Sequence, residues 1–160
     1  MPVPELRIRL EVSPDLDAAL RALRDPRPAQ ARFLRAAGRE VQAVARSRFL
    51  RGPRPQNLGV RTGSLLRSIT VDESGLPHVV EVGTPLVYGP PHEFGATIRP
   101  RAARALVFRV GPRAHLGRGE VRTARQVTLP ARSFIGPALE VVEPRLEQLL
   151  ADELEREVLG

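Results

Sequence analysis

The residues of this chain best equipped for chemistry are His92 and Glu93, adjacent in the run Tyr88-Gly-Pro-Pro-His-Glu-Phe-Gly95. A His-Glu pair on a helix can hold zinc when a second histidine follows one turn on, but position 96 is alanine. The other histidines, His78 and His115, stand in a strand-like segment and a glycine-rich turn, with no ligand spacing between them. Turn chemistry describes the run better. Pro90 and Pro91 fix the backbone, Gly95 admits a φ closed to other residues, and Phe94 is expected to plug the core. Ser64 and Ser68 lie near a glycine, yet Gly-x-Ser-x-Gly is absent, and so are the glycine-rich phosphate loops. The chain has no cysteine, which excludes a disulfide framework, a thiol nucleophile and a Cys-based metal site. The expectation is a protein that is not an enzyme and takes no metal or cofactor.

Arginine is the remaining chemical signal. All 25 basic residues are arginine, and the formal charge is +7. The charge is uneven. Residues 137–160 carry seven acids and two arginines, whereas residues 99–132 carry nine arginines and one acid, Glu120. Such asymmetry points to an anionic partner or to head-to-tail self-association between basic and acidic faces. As phosphate binders the arginines would release counterions from nucleic acid. Against this, aromatics make up 4% of the chain, with no tryptophan and one tyrosine, so platforms for base stacking are scarce. Arginine also suits protein interfaces, through flat stacking and forked hydrogen bonding. Arg51, Arg54, Arg99, Arg101, Arg113 and Arg118 are the candidate interface residues. A basic nucleic-acid-binding module, such as a ribosome-associated protein, is the alternative reading.

The elements that must position these residues are legible in part. Leu6, Ile8, Leu10 and Val12 alternate with Glu5, Arg7, Arg9 and Glu11, the period of a strand with one wet face. Ser13-Pro14-Asp15 opens a short helix with Leu16, Leu20 and Leu23 on one side. A longer helix is expected from about Ala29 to Leu50. Phe33, Ala37, Val41, Val44 and Arg48 mark its inner side, and Arg32, Arg35, Arg39 and Arg46 its outer one. Thr62 can cap a short helix through Ser68. Strands are expected at 69–71, 78–82, 106–110 and 127–129. Residues 51–60 and 111–120, rich in Gly and Pro, are expected to be mobile loops. A last helix spans about 138–158, with Pro144 either kinking it or marking its start. The N-terminus has no apolar core of a signal peptide, and no apolar run is long enough to cross a bilayer. The whole is an α+β fold in a single domain, residues 1–160: a small antiparallel sheet packed with a long helix of the N-terminal half and a C-terminal helix.

Five clusters occur in a fixed order: Arg61-Thr62-Gly63-Ser64-Leu65-Leu66-Arg67-Ser68-Ile69, then Val80-Glu-Val-Gly83-Thr84, Tyr88, His92-Glu93-Phe94-Gly95, and Pro130-Ala131-Arg132-Ser133-Phe134. Together they resemble the virion-morphogenesis or tail-completion (neck, head–tail joining) proteins of tailed bacteriophages, in which TGxLxxSI, VGT, YxxxHEFG and PARPF precede a last helix. The resemblance covers residues 61–142. Two departures are Gly89, where the family often has alanine, and Ser133, where it has proline; both read as changes of backbone stiffness. The resemblance implies a structural protein of the virion neck or tail, assembled in the cytoplasm of the host bacterium. It further implies a homo-oligomeric ring of roughly six or twelve copies, contacting adjoining connector and tail proteins and surrounding DNA that passes without sequence-specific binding. A lumen facing DNA is better acidic or neutral, because phosphate-binding arginines would retard the passing genome. Glu140, Glu147, Asp152, Glu153 and Glu155 are therefore the candidate channel-facing residues.

Overall fold

The computed structural model describes residues 5–11, 14, 25, 27–51, 58–60, 62–111 and 114–159. The short helix expected after Ser13 lies outside the described residues. The fold is α+β. Strand β1 (Leu6–Glu11) and helix α1 (Arg27–Val44) come first, and α1 runs directly into a π-helical turn at Ala45–Leu50. Helix α2 (Ser64–Ser68) leads into β2 (Thr70–Asp72) and β3 (Val79–Thr84), and helix α3 (Gly89–Phe94) into β4 (Ala96–Ile98). Strands β5 (Leu106–Val110), β6 (Glu120–Ala124) and β7 (Val127–Leu129) follow. The chain ends in α4 (Gly136–Val142), a 3-10 turn at Glu143–Arg145 and α5 (Leu146–Leu159).

Three antiparallel pairings organise the strands. The main sheet has the order β1-β3-β2, with Ile8 opposite Val82 and Val71 opposite Val82 from the other side. The alternation anticipated in β1 places Leu6, Ile8 and Leu10 on the inner face with Val80, Val82 and Val71. Against this face lies α1, whose other contacts are α4 and α5. The core is therefore built around α1. Val41, Val44, Ala45, Leu50 and Leu58 meet Ile69, Val82, Phe134, Ile135, Ala138 and Val142. Farther along the helix, Phe33 and Leu34 meet Val80, Leu149 and Leu150. Burying a side chain of this kind contributes about 1.5–3 kcal/mol.

Several expectations change in detail. The long helix starts at Arg27, and the π turn shifts its register. With a step of five residues from Ala45 to Leu50 in place of the usual three or four, Leu50 enters the core and Arg48 is turned out to solvent. Leu58, inside the segment read as an exposed loop, is buried in the same cluster. Pro144 sits in the 3-10 turn that divides α4 from α5, where its missing N–H breaks the α-helical ladder. Strands β4 and β6 and helix α3 were not anticipated. Both strands lie in two-stranded ribbons, β4 with β7 and β5 with β6.

These two ribbons form one structure. β4 and β7 are a stem; β5 and β6 extend beyond it, joined through residues 99–105 on one side and 125–126 on the other. The substantial contacts of β5 and β6 are with each other and with the 3-10 turn Ala114–Leu116, and neither strand adds a buried residue to the core clusters. The hairpin is an arm attached to the domain at its stem.

Candidate functional site

The root of this arm is where the sequence motifs converge. Helix α3 has prolines in its first turn, and its opening is pinned by the Gly89 N–H donating to the Leu86 carbonyl at 2.8 Å. A six-residue helix leaves its last carbonyls without helical partners. Here the Pro130–Phe134 segment supplies them. The Arg132 amide donates to the His92 carbonyl at 2.7 Å, and the Ser133 hydroxyl to the Glu93 carbonyl at 2.7 Å. The chain then turns at Gly95, whose φ of 76° is open to glycine, and enters β4. A Cβ at this position would stand 3.0 Å from the Ala131 nitrogen and 3.1 Å from the Leu129 carbonyl oxygen.

The Glu93 side chain completes the junction in the opposite direction. It is 4% exposed, and its carboxylate accepts three backbone N–H bonds at the start of α4. Oε2 takes the amides of Phe134 at 2.7 Å and Ile135 at 3.1 Å, and Oε1 takes that of Gly136 at 2.8 Å. An anion facing the unpaired amides of a helix N-terminus satisfies them and complements the helix dipole. Glu93 is thus a cap supplied from forty residues upstream, with its acceptor capacity engaged by the backbone. This role was missed in the sequence. The available signal was an acid followed much later by a segment opening a helix at Gly136-Pro137, where α4 has no side-chain cap of its own.

The reading of Phe94 is overturned. It is not a plug: it is 72% exposed, and the buried aromatic of the junction is Phe134, with none of its surface exposed. On a short helix whose Glu93 faces inward, the next residue must face out. Ser133 is also more than a change of stiffness, because its hydroxyl bonds the Glu93 carbonyl, which proline could not do. His92 is half-buried and meets Tyr88 edge-on, with ring centroids 6.1 Å apart.

The earlier motifs form a second junction beside the sheet. Gly63, in the left-handed region at φ 74°, occupies the N-cap position of α2. The N-cap position falls on Gly63, one residue after Thr62, and the Thr62 hydroxyl oxygen accepts the amide of Ser64, the first residue of α2, at 3.3 Å. Leu65 and Leu66 pack on the core that buries Ile69. The Ile69 carbonyl accepts from Gln42 Nε2 and from the Arg46 guanidinium, each at 2.7 Å, which fastens α2 to α1. The Ser68 and Thr84 hydroxyls share a 2.7 Å hydrogen bond. Gly83 lies where β1 crosses closest: a Cβ there would come 1.9 Å from the Leu6 carbonyl oxygen. Arg61 lies outside the described residues. Pro130 and Ala131 are exposed and Arg132 is half-buried at the stem.

The candidate interface arginines divide. Arg51, Arg99, Arg101 and Arg118 are exposed, whereas Arg54 and Arg113 lie outside the described residues. Many other arginines are spent within the fold: Arg35 and Arg39 on Glu73, Arg7 and Arg9 on Glu81, and Arg145 on Glu40. Among the candidate channel-facing acids, Glu140, Glu147 and Glu155 are exposed, and Asp152 accepts from Gln148 at 2.8 Å. Glu153 does not fit that group. Its side chain is 7% exposed and ion-paired with Arg32 at 2.8 Å and with Arg156, so it ties α5 to α1.

A family model described as "Bacteriophage HK97-gp10, putative tail-component" matches residues 15–95, about half of the chain. The chain belongs to the HK97-gp10-like family. No curated protein and no solved structure gives a significant match. The HK97-gp10-like region contains α1, the Ser68–Thr84 junction and the accepting half, His92 and Glu93, of the clasp that joins α3 to the Arg132–Gly136 segment. It ends at Gly95, so the donating Arg132–Gly136 segment lies beyond it. The match also reaches back over residues 15–60, where the five motifs carried no resemblance. Membership makes the chain a bacteriophage tail-component protein, consistent with a structural role in the virion. Among the described residues, no helix is long and apolar enough to cross a membrane.

Proposed function

We propose that this chain is a non-enzymatic ring subunit at the phage head–tail junction, where copies of it join head to tail and surround the DNA channel. The observation that carries this reading is the arm. A two-stranded hairpin is marginal in water by itself. This one keeps Val107 at 69% and Val121 at 52% exposure, and Phe94 and Ile98 are exposed near its stem. Among the described residues, most large exposed hydrophobics thus lie on or beside one projection, interleaved with arginine. A surface that mixes apolar side chains with arginine fits protein better than phosphate backbone. Membership in a family of phage tail components supports the same direction. The clasp adds the rigidity a connector requires, because it fixes the arm's root to the C-terminal helices through backbone hydrogen bonds.

The test is electron microscopy of the purified protein, with complementation of a phage lacking it. Closed rings, and a mutant phage yielding separate heads and tails that are joined on adding the protein, are the expected results. A strictly monomeric protein that binds DNA or RNA with steep salt dependence overturns the proposal in favour of a basic nucleic-acid-binding module.

A further inference from the structure

Two charge patches of this chain have no opposite number inside the fold. On the arm and its root, Arg99, Arg101, Arg104, Arg118 and Arg125 are exposed and form no ion pair among the described residues, and Arg109 reaches only the Gly119 carbonyl. On the C-terminal helices, Glu140, Glu143, Glu147 and Glu155 are exposed and likewise make no ion pair among the described residues. Glu147 and Glu155 lie eight residues apart on one side of α5, and Glu143 in the 3-10 turn and Glu140 on α4 continue this acidic stripe toward the N-terminus of the segment. Elsewhere several arginines are compensated within the fold, as at Arg7, Arg9, Arg35 and Arg39, while Arg48, Arg51 and Arg67 are exposed without an ion pair among the described residues.

The acidic stripe borders an apolar groove. A cavity of about 410 Å³ opens between β1, α1 and α5, with Leu10, Phe33, Leu34, Leu146 and Leu150 in its walls and with Arg9, Glu11 and Glu147 also lining it. The arm carries the complementary pattern. In the β5–β6 register, Val107 faces Thr123 and Arg109 faces Val121, so two valines and an arginine share the exposed face of the ribbon. The arm stands apart from its own core clusters, and those clusters do not include Val107 or Val121.

We infer that the arm of one copy docks on the α4–α5 face of a second copy, with Val107 and Val121 in the groove and Arg109 and Arg118 against Glu143 and Glu147. This rests on the reading of the chain as a self-assembling virion subunit, and it names the surfaces. The contact joins two different patches, so it is heterologous and propagates from copy to copy, as a ring requires. It also assigns Glu147 to a subunit interface in place of the DNA lumen.

The chain has no cysteine, so introduced thiols report directly. Val107→Cys and Glu147→Cys proteins, prepared separately and mixed under mild oxidation, should form a mixed disulfide dimer in the associated state and little of either homodimer. In sedimentation, Arg109→Glu with Arg118→Glu should weaken self-association about tenfold or more, and Glu143→Arg with Glu147→Arg on the partner preparation should restore it. Far-UV circular dichroism should stay unchanged, because the arm supports no part of the core. Three results overturn the inference: wild-type protein that remains monomeric at low salt, an arm-shortened chain that assembles like wild type, or charge reversals that do not rescue each other. Unchanged assembly in the arm variants, with heads and tails still joined by them, sinks the docking and leaves the junction role standing. Loss of assembly with normal joining keeps the docking and sinks the role.

Discussion

Glu93 ties two distant segments of this fold together. It is the side chain whose removal leaves three backbone amides facing a dry space at the start of α4. Hydrogen bonds to a charged group contribute roughly 1.5–3 kcal/mol each, though losses at one site do not add. Glu93→Ala should therefore destabilise the protein by about 2–4 kcal/mol in urea unfolding, and Glu93→Gln by less, since one amide oxygen remains to accept. Equal stability of the glutamine and wild-type proteins would show that the charge contributes nothing there. Gly95→Ala should cost about 1–3 kcal/mol, because φ at 76° strains any other residue. His92-Glu93 was visible in the sequence as the pair best able to do chemistry. What could not be read was its direction, because burial of a carboxylate depends on where α4 begins, forty residues later.

The sheet and α1 show how strongly the elements depend on close approach and on charge ties. Gly83→Ala should separate β1 from β3, since the added Cβ would overlap the Leu6 carbonyl. A loss of about 3 kcal/mol or more is expected, read as a large fall in thermal midpoint. The ion pairs at the end of β2 predict a pH dependence. The Arg35 hydrogen bond, reinforced by Arg39, holds Glu73 below its ordinary value of 4.5, and the Ser74 amide and hydroxyl, with Arg7, hold Asp72 below 3.8. A carboxylate whose folded pKa is depressed stabilises the fold above its unfolded pKa and loses that contribution as pH falls through the folded value. Between about pH 5 and about pH 3, wild type should therefore lose more stability than a Glu73→Gln, Asp72→Asn double variant. Parallel unfolding curves for the two proteins would refute it. At this scale β1 and α1 were legible because each shows a period that a buried face imposes, and β5 and β7 because their valines and leucines stand in short runs between turn residues. Strands β4 and β6, short and broken up by alanine and charged residues, offer no run of that kind. The π turn was hidden because it changes the helical period within the last six residues of the helix.

Across the whole molecule, stability is unevenly placed. The core gathers around α1, whereas the β5–β6 arm rests on its own ladder and a short stem. Opening free energies follow such differences. In hydrogen exchange on the isolated subunit, the amides of 106–110 and 120–124 should exchange fastest among the strands, and those of 79–84 slowest. Protection of the arm equal to that of β3 in a monomer would show that it is held by its own domain. The net charge of +7 is another property of the whole chain that the fold redistributes. The helix arginines are largely consumed by Glu73 and Glu153, which leaves the arm and the C-terminal stripe as opposed, unmatched ends.

The α+β class, the main amphipathic elements and the ordered motifs of a phage protein followed from the sequence alone, because hydrophobic period and turn residues act over a few positions. Tertiary structure decided that Glu93 is inside and Phe94 outside, that Glu153 is a buried tie and no lumen residue, and that strands β4 to β7 form a projecting arm with a clasp at its root. Those outcomes depend on which distant segment meets which. Contacts between residues 93 and 134–136, or 32 and 153, are set by packing around α1, and no local spacing encodes them.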